Sequence, residues 1–497
     1  MWLGLLLMSA GCLGGAIRPD GTNDMTQAVL TRVKSGATVE LAEGEYHFYA
    51  DQARPMQVYI SNHDQPLPRK VQLPLCGVEK LTVRGLGAGA KLIFHGEATG
   101  ILLMDAREVR LENLSLDWIE PPIGEARIKG FAAQGRPELE WLVRGCDGDR
   151  GDARMLWDPV TRAIKPDTGD VFKWSQSKAG DVISVRTWRR PSPAICLYRA
   201  ERVELAQVVV HSAHGMGLVA QRSGDIEWTG GGVYPRAGSF CSTTADATHF
   251  SNCRGRIAVT GARFEGMMDD AINVHSTCLR IEERMDGGRL QCRYMHPQAI
   301  GFEVFAPGER LRFIRARTLE NGPETEVTAV EWLDERTVVL TLADANAAPE
   351  FGAGDAVENA DWQPTVDFSG NTVRNNRARA ALFTTPGKVT VKDNTFDHVS
   401  GSAILLAGDA SNWFESGACT EVEIVGNRFV DCLTSRYQFC NAVITSAPSV
   451  PDLAAQQKPY HGRIRVTGNT FDCPGAKLWD GISVENLEWR DNVETRR

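Results

Sequence analysis

Residues 366–373 read VDFSGNTV, and related copies follow as VTVKDNTF at 389–396, VEIVGNRF at 422–429 and IRVTGNTF at 464–471. In each copy apolar and polar residues alternate, a turn at Gly or Asn follows, and another apolar residue stands two positions on. Alternation is the pattern of a half-buried strand, and Gly and Asn are residues that tight turns favour. Each copy therefore predicts a short strand, a turn and a second short strand.

The copies recur at a nearly constant spacing. Asn371 and Asn394 are 23 residues apart, as are Asn469 and Asn492. A second set of strands lies between them, each led by a small residue, as in ALFTT at 381–385. A coil of this length with two or three short strands is typical of a parallel β-helix. The turn asparagines are predicted to be structural, through left-handed backbone or bonds from side chain to backbone.

The fold class follows from this repeat. A leucine-rich repeat would need L-x-x-L-x-L-x-x-N, which the sequence lacks, and amphipathic helical patterns are scarce apart from a short helix predicted at 25–34. The sequence therefore predicts an all-β protein, a right-handed parallel β-helix with two inserted small β-rich, barrel-like subdomains. The predicted segments are N-terminal coils at 16–122, a first insertion at 123–190, central coils at 191–276, a second insertion at 277–362 and C-terminal coils at 363–497.

The first residues predict export. Residues 1–15 contain a short apolar run followed by SAGC at 9–12, which resembles a bacterial lipoprotein cleavage site with Cys12 as the lipidated residue. We expect the periplasm, or an outer-membrane or cell-surface lipoprotein anchored through Cys12. The formal net charge of -9 argues against nucleic acid as a partner. The 12 cysteines include no CxxC pair, so we expect neither a zinc site nor a disulfide framework.

Three carboxylates are predicted to meet on one face of the central coils. Ala247 and Ala271 are 24 residues apart, one coil along, which places Asp246 beside Asp270, with Asp269 preceding it. Adjacent parallel strands lie about 4.8 Å apart, so the pKa of at least one of these groups should rise. Carboxyls in different protonation states suit hydrolysis of a glycosidic bond. A calcium site or a solvated acidic rim is the structural alternative.

Several motifs in order resemble glycoside hydrolase family 110. They are ADATHF at 245–250, MDDAINVH at 268–275, GFEVFA at 301–306, NRARAALFTTP at 376–386 and SAILLAGDASNWFESG at 402–417. The resemblance covers roughly residues 23–491, with Ser276 replacing an expected Gly. It implies an exo-acting α-1,3-galactosidase that removes terminal galactose from blood-group-B or linear α-galactosyl glycans without a cofactor or metal. It also makes a homodimer plausible.

The resemblance implies an inverting mechanism with two separated carboxyl groups. Asp269 and Asp270 are then candidates for activating water, with support from Asp246, and Glu303 is the candidate general acid. The coil spacing aligns Arg379 with Asp269, which it could neutralise. The residues expected to hold the sugar or the acidic patch are His249, Asn273, His275, Arg379, Trp413 and Glu415.

Three other functions remain open. A polygalacturonase-like β-helix hydrolase would share the Asp-Asp pair, but its Asn-Thr-Asp, Gly-His-Gly and Arg-Ile-Lys signatures are absent from the sequence. A pectate lyase would need calcium and a basic residue at the site. A non-catalytic glycan-binding adhesin has the same fold, because β-helices support many functions.

Overall fold

The computed structural model describes residues 15–145, 151–437 and 439–495. The predicted export signal with Cys12 lies outside these ranges. Within them, none of the helices combines the length and the apolar content that a membrane span requires. The helical elements are the α-helix Thr26–Leu30 and the 3-10 turns Ala133–Gly135, Trp174–Gln176 and Leu453–Ala455.

A 20-stranded sheet forms two faces of a solenoid. Its strands pair in two parallel ladders, and the long strands Arg107–Trp118 and Glu201–Val210 belong to both ladders. The strands are Thr38–Leu41, Gly44–Tyr49, Glu79–Gly85, Ala90–His95, Arg107–Trp118, Glu201–Val210, Gly224–Thr229, Gly232–Val233, Arg254–Thr260, Arg263–Glu265, Thr365–Ser369, Thr372–Arg374, Val389–Lys392, Thr395–Asp397, Glu421–Val425, Arg428–Val430, His461–Thr467, Thr470–Asp472, Val484–Arg490 and Val493–Glu494.

A 12-stranded sheet forms the third face and carries the acidic residues. Its strands pair in parallel except for Arg54–Met56 and Glu415–Ser416, which pair antiparallel with their neighbours. The strands are Arg54–Met56, Arg69–Cys76, Thr99–Met104, Ile195–Tyr198, Leu218–Gln221, Thr248–Ser251, Ile272–Thr277, Ala381–Thr384, Ile404–Leu406, Glu415–Ser416, Ile444–Ser446 and Trp479–Gly481. Strands of successive coils thus stack on three faces, which confirms the predicted parallel β-helix.

The core of the solenoid is built from equivalent residues of successive coils. Five phenylalanine rings at one such position stack with centroids 4.7 to 6.5 Å apart. All of them are fully buried, so each coil covers the apolar surface of the coil before it. These residues are Phe264, Phe368, Phe396, Phe429 and Phe471.

The turn asparagines connect neighbouring coils. The backbone N–H of Asn371 donates to Oδ1 of Asn394 at 2.8 Å, and that of Asn394 donates to Oδ1 of Asn427 at 2.9 Å. The residue before each asparagine takes the left-handed conformation instead, as at Gly370 (φ 67°). The asparagines are therefore structural because their side chains satisfy backbone groups of the turns in adjacent coils.

Two insertions project from the solenoid. The first contains a four-stranded antiparallel sheet, and the second is a closed six-stranded barrel. The strands of the first are Gly124–Phe131, Pro137–Val143, Ala153–Trp157 and Val182–Arg186. Those of the barrel are Leu279–Met285, Arg289–Arg293, Arg310–Arg315, Glu320–Trp332, Thr337–Leu342 and Ala356–Asn359. Arg254–Thr260 and Thr365–Ser369, on either side of the barrel in sequence, still pair in register with Ile257 opposite Val366.

Candidate active site

Two adjacent strands of the third face position the acidic residues. Thr248–Ser251 and Ile272–Thr277 are parallel, with His249 opposite Asn273. This register places Asp246 beside Asp270, which is the arrangement that the coil spacing predicts. One oxygen of each carboxyl of Asp246, Asp269 and Asp270 lies within 4.8 Å of the others.

Two arginines compensate for this negative charge. Nη2 of Arg379 lies 2.9 Å from Oδ2 of Asp270 and 3.4 Å from Oδ1 of Asp269. Nη2 of Arg190 donates to the other oxygen of Asp269 at 3.0 Å. The predicted alignment of Arg379 with Asp269 is wrong by one residue, because Ala381 lies opposite Ile272 rather than Ala271. The barrel lies between these two coils in sequence, so spacing alone could not fix their register.

The three carboxyl groups differ in protonation. Burial raises the pKa of Asp246 to about 8, and the neighbouring Asp269 carboxylate adds to this increase. Burial also raises the pKa of Asp270 well above its usual value. For Asp269 burial acts in the same direction, but Arg379 and Arg190 lower its pKa to about 2. At neutral pH the site therefore offers a protonated carboxyl, Asp246, beside an ionised one, Asp269.

Two buried histidines lie next to the acidic residues. Nδ1 of His249 is 2.7 Å from Oδ2 of Asp246, and its Nε2 is 2.8 Å from Nε2 of His275. Oε1 of Glu415 is 3.5 Å from the same nitrogen of His275. Glu415 accepts a hydrogen bond from Nδ2 of Asn62 at 3.0 Å. The histidines therefore separate Asp246 from Glu415 across the site.

The acidic residues face a cavity of about 430 Å³. Its walls come from the third face, the end of the first insertion, the 407–415 loop and the side chains of Tyr437 and Phe439. The lining residues include Asn62, Trp188, Arg190, Asp246, His249, Asp269, Asn273, Gln298, Arg377, Arg379, Asp409, Trp413, Glu415, Tyr437 and Phe439. This volume is within the range of about 300–1,000 Å³ that small-molecule sites occupy.

An aromatic side chain is available for a sugar ring at the cavity wall. Trp413 stacks on His296 with centroids 4.0 Å apart and an angle of 24° between the rings. The backbone N–H of Trp413 donates to Oδ2 of Asp409, which fixes the loop that carries the indole. Because Trp413 also lines the cavity, its indole is placed to contact a bound sugar.

Glu303 is not brought into this arrangement. It does not appear among the described residues that line the cavity, and its backbone N–H lies 3.5 Å from the hydroxyl of Tyr198 instead. The segment at 301–306 lies outside the coil repeat, so the sequence held no spacing from which its position could be worked out.

The acidic cluster has the spacing that three ligands of a cation could have. Its carboxyls already have other partners, however. Asp269 and Asp270 form ion pairs with Arg190 and Arg379, and Asp246 is bonded to His249. The arginines supply the positive charge that a cation would otherwise provide, so we assign no metal to this cluster.

Sequence reasoning missed several residues of the cavity. Asn62, Trp188, Arg190, Gln298 and Tyr437 all line it but come from segments outside the repeat. They lie far apart in the sequence and share no periodicity with the acidic residues. Only an arginine on the predicted insertion boundary, Arg190, offered a signal, since a buried carboxylate cluster requires positive charge nearby.

Two known proteins similar to this chain are named alpha-1,3-galactosidases. Residues 289–357 match the family model of the GLAA-B beta-barrel domain II. Alpha-1,3-galactosidase B of Akkermansia muciniphila is 40% identical over 97% of this chain and 65% of its own length. Alpha-1,3-galactosidase B of Parabacteroides distasonis is 37% identical over 92% of this chain and 82% of its own. The chain thus spans slightly less than two thirds of the Akkermansia relative.

Solved structures also match over most of the chain. The A-module of mannuronan C-5 epimerase AlgE6 from Azotobacter vinelandii has a TM-score of 0.37 at 11% identity, covering 96% of this chain and 97% of that one. The catalytic domain of a GH87 alpha-1,3-glucanase has a TM-score of 0.40 at 9% identity, covering 96% and 58%.

The solenoid, its carboxyl-lined cavity and the two relatives named alpha-1,3-galactosidase define a class, the glycoside hydrolases built on a parallel β-helix. The family of this chain can be stated more specifically than this class, because the Parabacteroides relative is matched over most of both chains. The chain belongs to the α-1,3-galactosidase family, glycoside hydrolase family 110.

Proposed function

We propose that the protein is an exo-acting, inverting α-1,3-galactosidase, which releases terminal α-1,3-linked galactose from oligosaccharides or glycoconjugates. The observation that carries this proposal is the cavity lined by the protonated carboxyl of Asp246 and by two carboxyls of lowered pKa, Asp269 and Glu415, in a chain whose relatives are named alpha-1,3-galactosidases. A glycosidase needs one group of each kind.

The shape of the site supports the exo mode. The cavity is walled by segments from five places in the chain, including Asn62, Trp188, Gln298, Trp413 and Tyr437. Walls on several sides suit a site that admits the end of a glycan, whereas an endo-acting enzyme requires a groove open at both ends. The terminal galactose would then lie beside Asp246 and Asp269.

We assign the general acid to Asp246 in place of Glu303. Its carboxyl lines the cavity and holds a proton at neutral pH. An inverting enzyme needs its second carboxyl about 6.5–9.5 Å away, whereas Asp269 lies within 4.8 Å of Asp246. Glu415 is separated from Asp246 by the two histidine rings, and contacts with those rings and Asn62 lower its pKa although burial raises it. We propose Glu415 as the general base.

Asp269 then binds the sugar. It is ionised, it lines the cavity, and its Oδ1 has no hydrogen-bond partner among the described residues. A buried carboxylate oxygen without a donor favours a ligand hydroxyl. Asn273 has an unpartnered Oδ1 in the same cavity, and Trp413 contributes an apolar surface.

The reaction is tested by incubating the protein with the linear disaccharide Gal-α-1,3-Gal and with the branched blood-group-B trisaccharide. Proton NMR records both galactose release and the anomer formed first. We expect β-galactose before mutarotation. First release of α-galactose would contradict inversion, and no release from either substrate would contradict the function. Hydrolysis of polygalacturonate would favour the pectin-hydrolase alternative.

The acid and base are separated by a second substrate, an aryl α-galactoside with a good leaving group. Such a leaving group needs no proton, so Asp246→Asn should retain much of its aryl galactosidase activity while losing activity on the disaccharide. Glu415→Gln should lose both activities, because water must still be activated. If Asp269→Asn loses both activities while Glu415→Gln keeps them, the base is Asp269.

A further inference from the structure

The opening of the cavity differs from its floor in exposure to solvent. The floor residues Asp246, His249 and Asn273 line the cavity and are buried. A residue that lines a cavity and is also exposed must lie at its opening. Three of the described lining residues meet this condition, and we call them the mouth rim. They are Trp188, Asn412 and Phe439.

Two members of the mouth rim are aromatic. Trp188 is 45% exposed and Phe439 is 37% exposed. In the described ranges four tryptophan or phenylalanine side chains are exposed, and two of these four lie at this one opening. Aromatic side chains are a common lining of small-molecule sites. The concentration of exposed rings at the opening therefore indicates a surface that a ligand covers.

The indole of Trp188 is held in place by two arginines. Cζ of Arg186 lies 4.2 Å from the centroid of the indole, and Cζ of Arg377 lies 5.4 Å from it. Arg377 donates to both oxygens of Asp170, at 2.6 and 2.7 Å, and Nη1 of Arg186 donates to the carbonyl of Thr244 at 2.8 Å. Since the cations are themselves fixed, the exposed ring is preorganised, and a ligand that binds it loses little affinity to ordering the side chain.

The mouth rim is close to the acidic floor. Trp188 precedes Arg190 by two residues, so their backbones are at most about 7 Å apart. Nη2 of Arg190 donates to Asp269 at 3.0 Å. When a terminal galactose lies beside the acidic residues, the rest of the glycan has to leave through the opening. The first sugar beyond the scissile bond must then pass the mouth rim.

We propose that the mouth rim is an acceptor-side sugar site, in which Trp188 and Phe439 contact the sugar to which the terminal galactose is linked. This inference rests on the proposed function and identifies how the glycan beyond the scissile bond is bound. The site takes a neutral pyranose, whose C–H groups pack on aromatic rings. None of the described rim residues is charged, so a uronic acid would gain no counter-charge from them, whereas Asn412 offers an amide to hydroxyls.

Two ligands separate the mouth rim from the floor. Free galactose occupies only the terminal position, whereas Gal-α-1,3-Gal occupies both positions. Trp188→Ala should raise KM for the disaccharide about two- to tenfold with kcat unchanged, because contact with the acceptor sugar is the same before and during bond cleavage. The inhibition constant of galactose, measured against the same substrate, should stay unchanged. An equal rise in both constants would overturn the proposal.

Further variants distinguish the two positions. Phe439→Ala should behave like Trp188→Ala, and Trp188→Phe should keep most of the affinity because it retains a ring. Trp413 is only partly exposed in the cavity wall, so Trp413→Ala should raise the constants for both ligands. Trp332, an exposed tryptophan outside the cavity lining, provides the control, and Trp332→Ala should change neither constant.

The inference and the proposed function can fail separately. If the unmodified protein releases galactose but Trp188→Ala and Phe439→Ala both leave KM for the disaccharide unchanged, the mouth rim is not an acceptor site. If no galactose is released, the proposed function fails, and titration calorimetry decides the mouth rim. Gal-α-1,3-Gal should then bind more tightly than galactose, by a difference that Trp188→Ala removes. Equal affinities, or no binding of either sugar, would overturn the acceptor site.

Discussion

Nη2 of Arg379 lies 2.9 Å from Oδ2 of Asp270, and the side chain of Asp270 is fully buried. The two residues come from adjacent coils that the barrel separates in the sequence. This ion pair therefore connects the chain before the second insertion to the chain after it, at the floor of the acidic site.

Arg379→Met should be strongly destabilising. The substitution removes a counter-charge from the buried, ionised carboxylate of Asp269 and the hydrogen-bond donor of Asp270, which typically costs about 3–5 kcal/mol. Urea unfolding followed by circular dichroism measures the loss. Arg254→Met is the control, since Arg254 pairs with Glu201 at the surface, where a pair contributes about 0–1 kcal/mol. Equal losses in the two variants would contradict the structural role of Arg379.

Asn394→Ala should weaken the solenoid by at least about 2 kcal/mol. The buried amide of Asn394 donates to the carbonyl of Phe368 at 2.8 Å and accepts from the backbone N–H of Asn371. Each buried group left without a partner costs about 1–3 kcal/mol. Lys392 provides the control, because it lies two residues away and its side chain is exposed. Lys392→Ala should change stability by less than about 0.5 kcal/mol. The same urea measurement compares the two.

Stability should depend on pH through Asp246. In the unfolded chain this group loses its proton near its usual pKa of 3.8, whereas the folded protein retains it up to about pH 8. The folded state therefore binds more protons in this window, and this contribution to stability is lost as the pH rises from about 4 to about 8.

Asp246→Asn removes that dependence, and its amide can still form a hydrogen bond with Nδ1 of His249. The free energy of unfolding of the variant, relative to the unmodified protein, should increase with pH across the window, by no more than about 1.4 kcal/mol per pH unit. Urea unfolding at pH 4.5, 6 and 7.5 provides the comparison. A constant or decreasing difference would show that Asp246 is ionised in the folded protein.

Trp413→Ala should weaken substrate binding. Removing the indole that lines the cavity removes an apolar surface for the sugar, which corresponds to about 0.5–1.5 kcal/mol, or a rise of about two- to tenfold in KM. Trp413→Phe should lose less. Trp332→Ala is the control, since Trp332 stacks on Tyr294 in the barrel and lies outside the lining of the cavity. A similar rise in KM for Trp332→Ala would contradict the role of Trp413.

The sequence predicts those parts of the molecule that the coil repeat determines. The stacking of Asp246 on Asp270 follows from one coil of 24 residues, because no insertion interrupts the chain between the two strands that pair there. The alignment of Arg379 was off by one residue, since the barrel interrupts the count between its coil and that of Asp270.

Residues outside the repeat could not be placed in this way. Asn62, Trp188 and Gln298 reach the cavity from a loop, the first insertion and the barrel region, and no spacing relates them to the acidic strand. Periodicity thus predicts which residues lie side by side in adjacent parallel strands. It does not predict which residues from loops and insertions contact them.

The first and last strands of the barrel, Leu279–Met285 and Ala356–Asn359, pair antiparallel with Leu279 opposite Val357. The entry and exit points of the barrel must therefore be close together in space. Such an insertion imposes no stretch on its host, and it resembles the sites at which proteins tolerate circular permutation and domain exchange. The barrel is consequently a module that evolution could replace or reshape while the acidic strands beneath it keep their alignment.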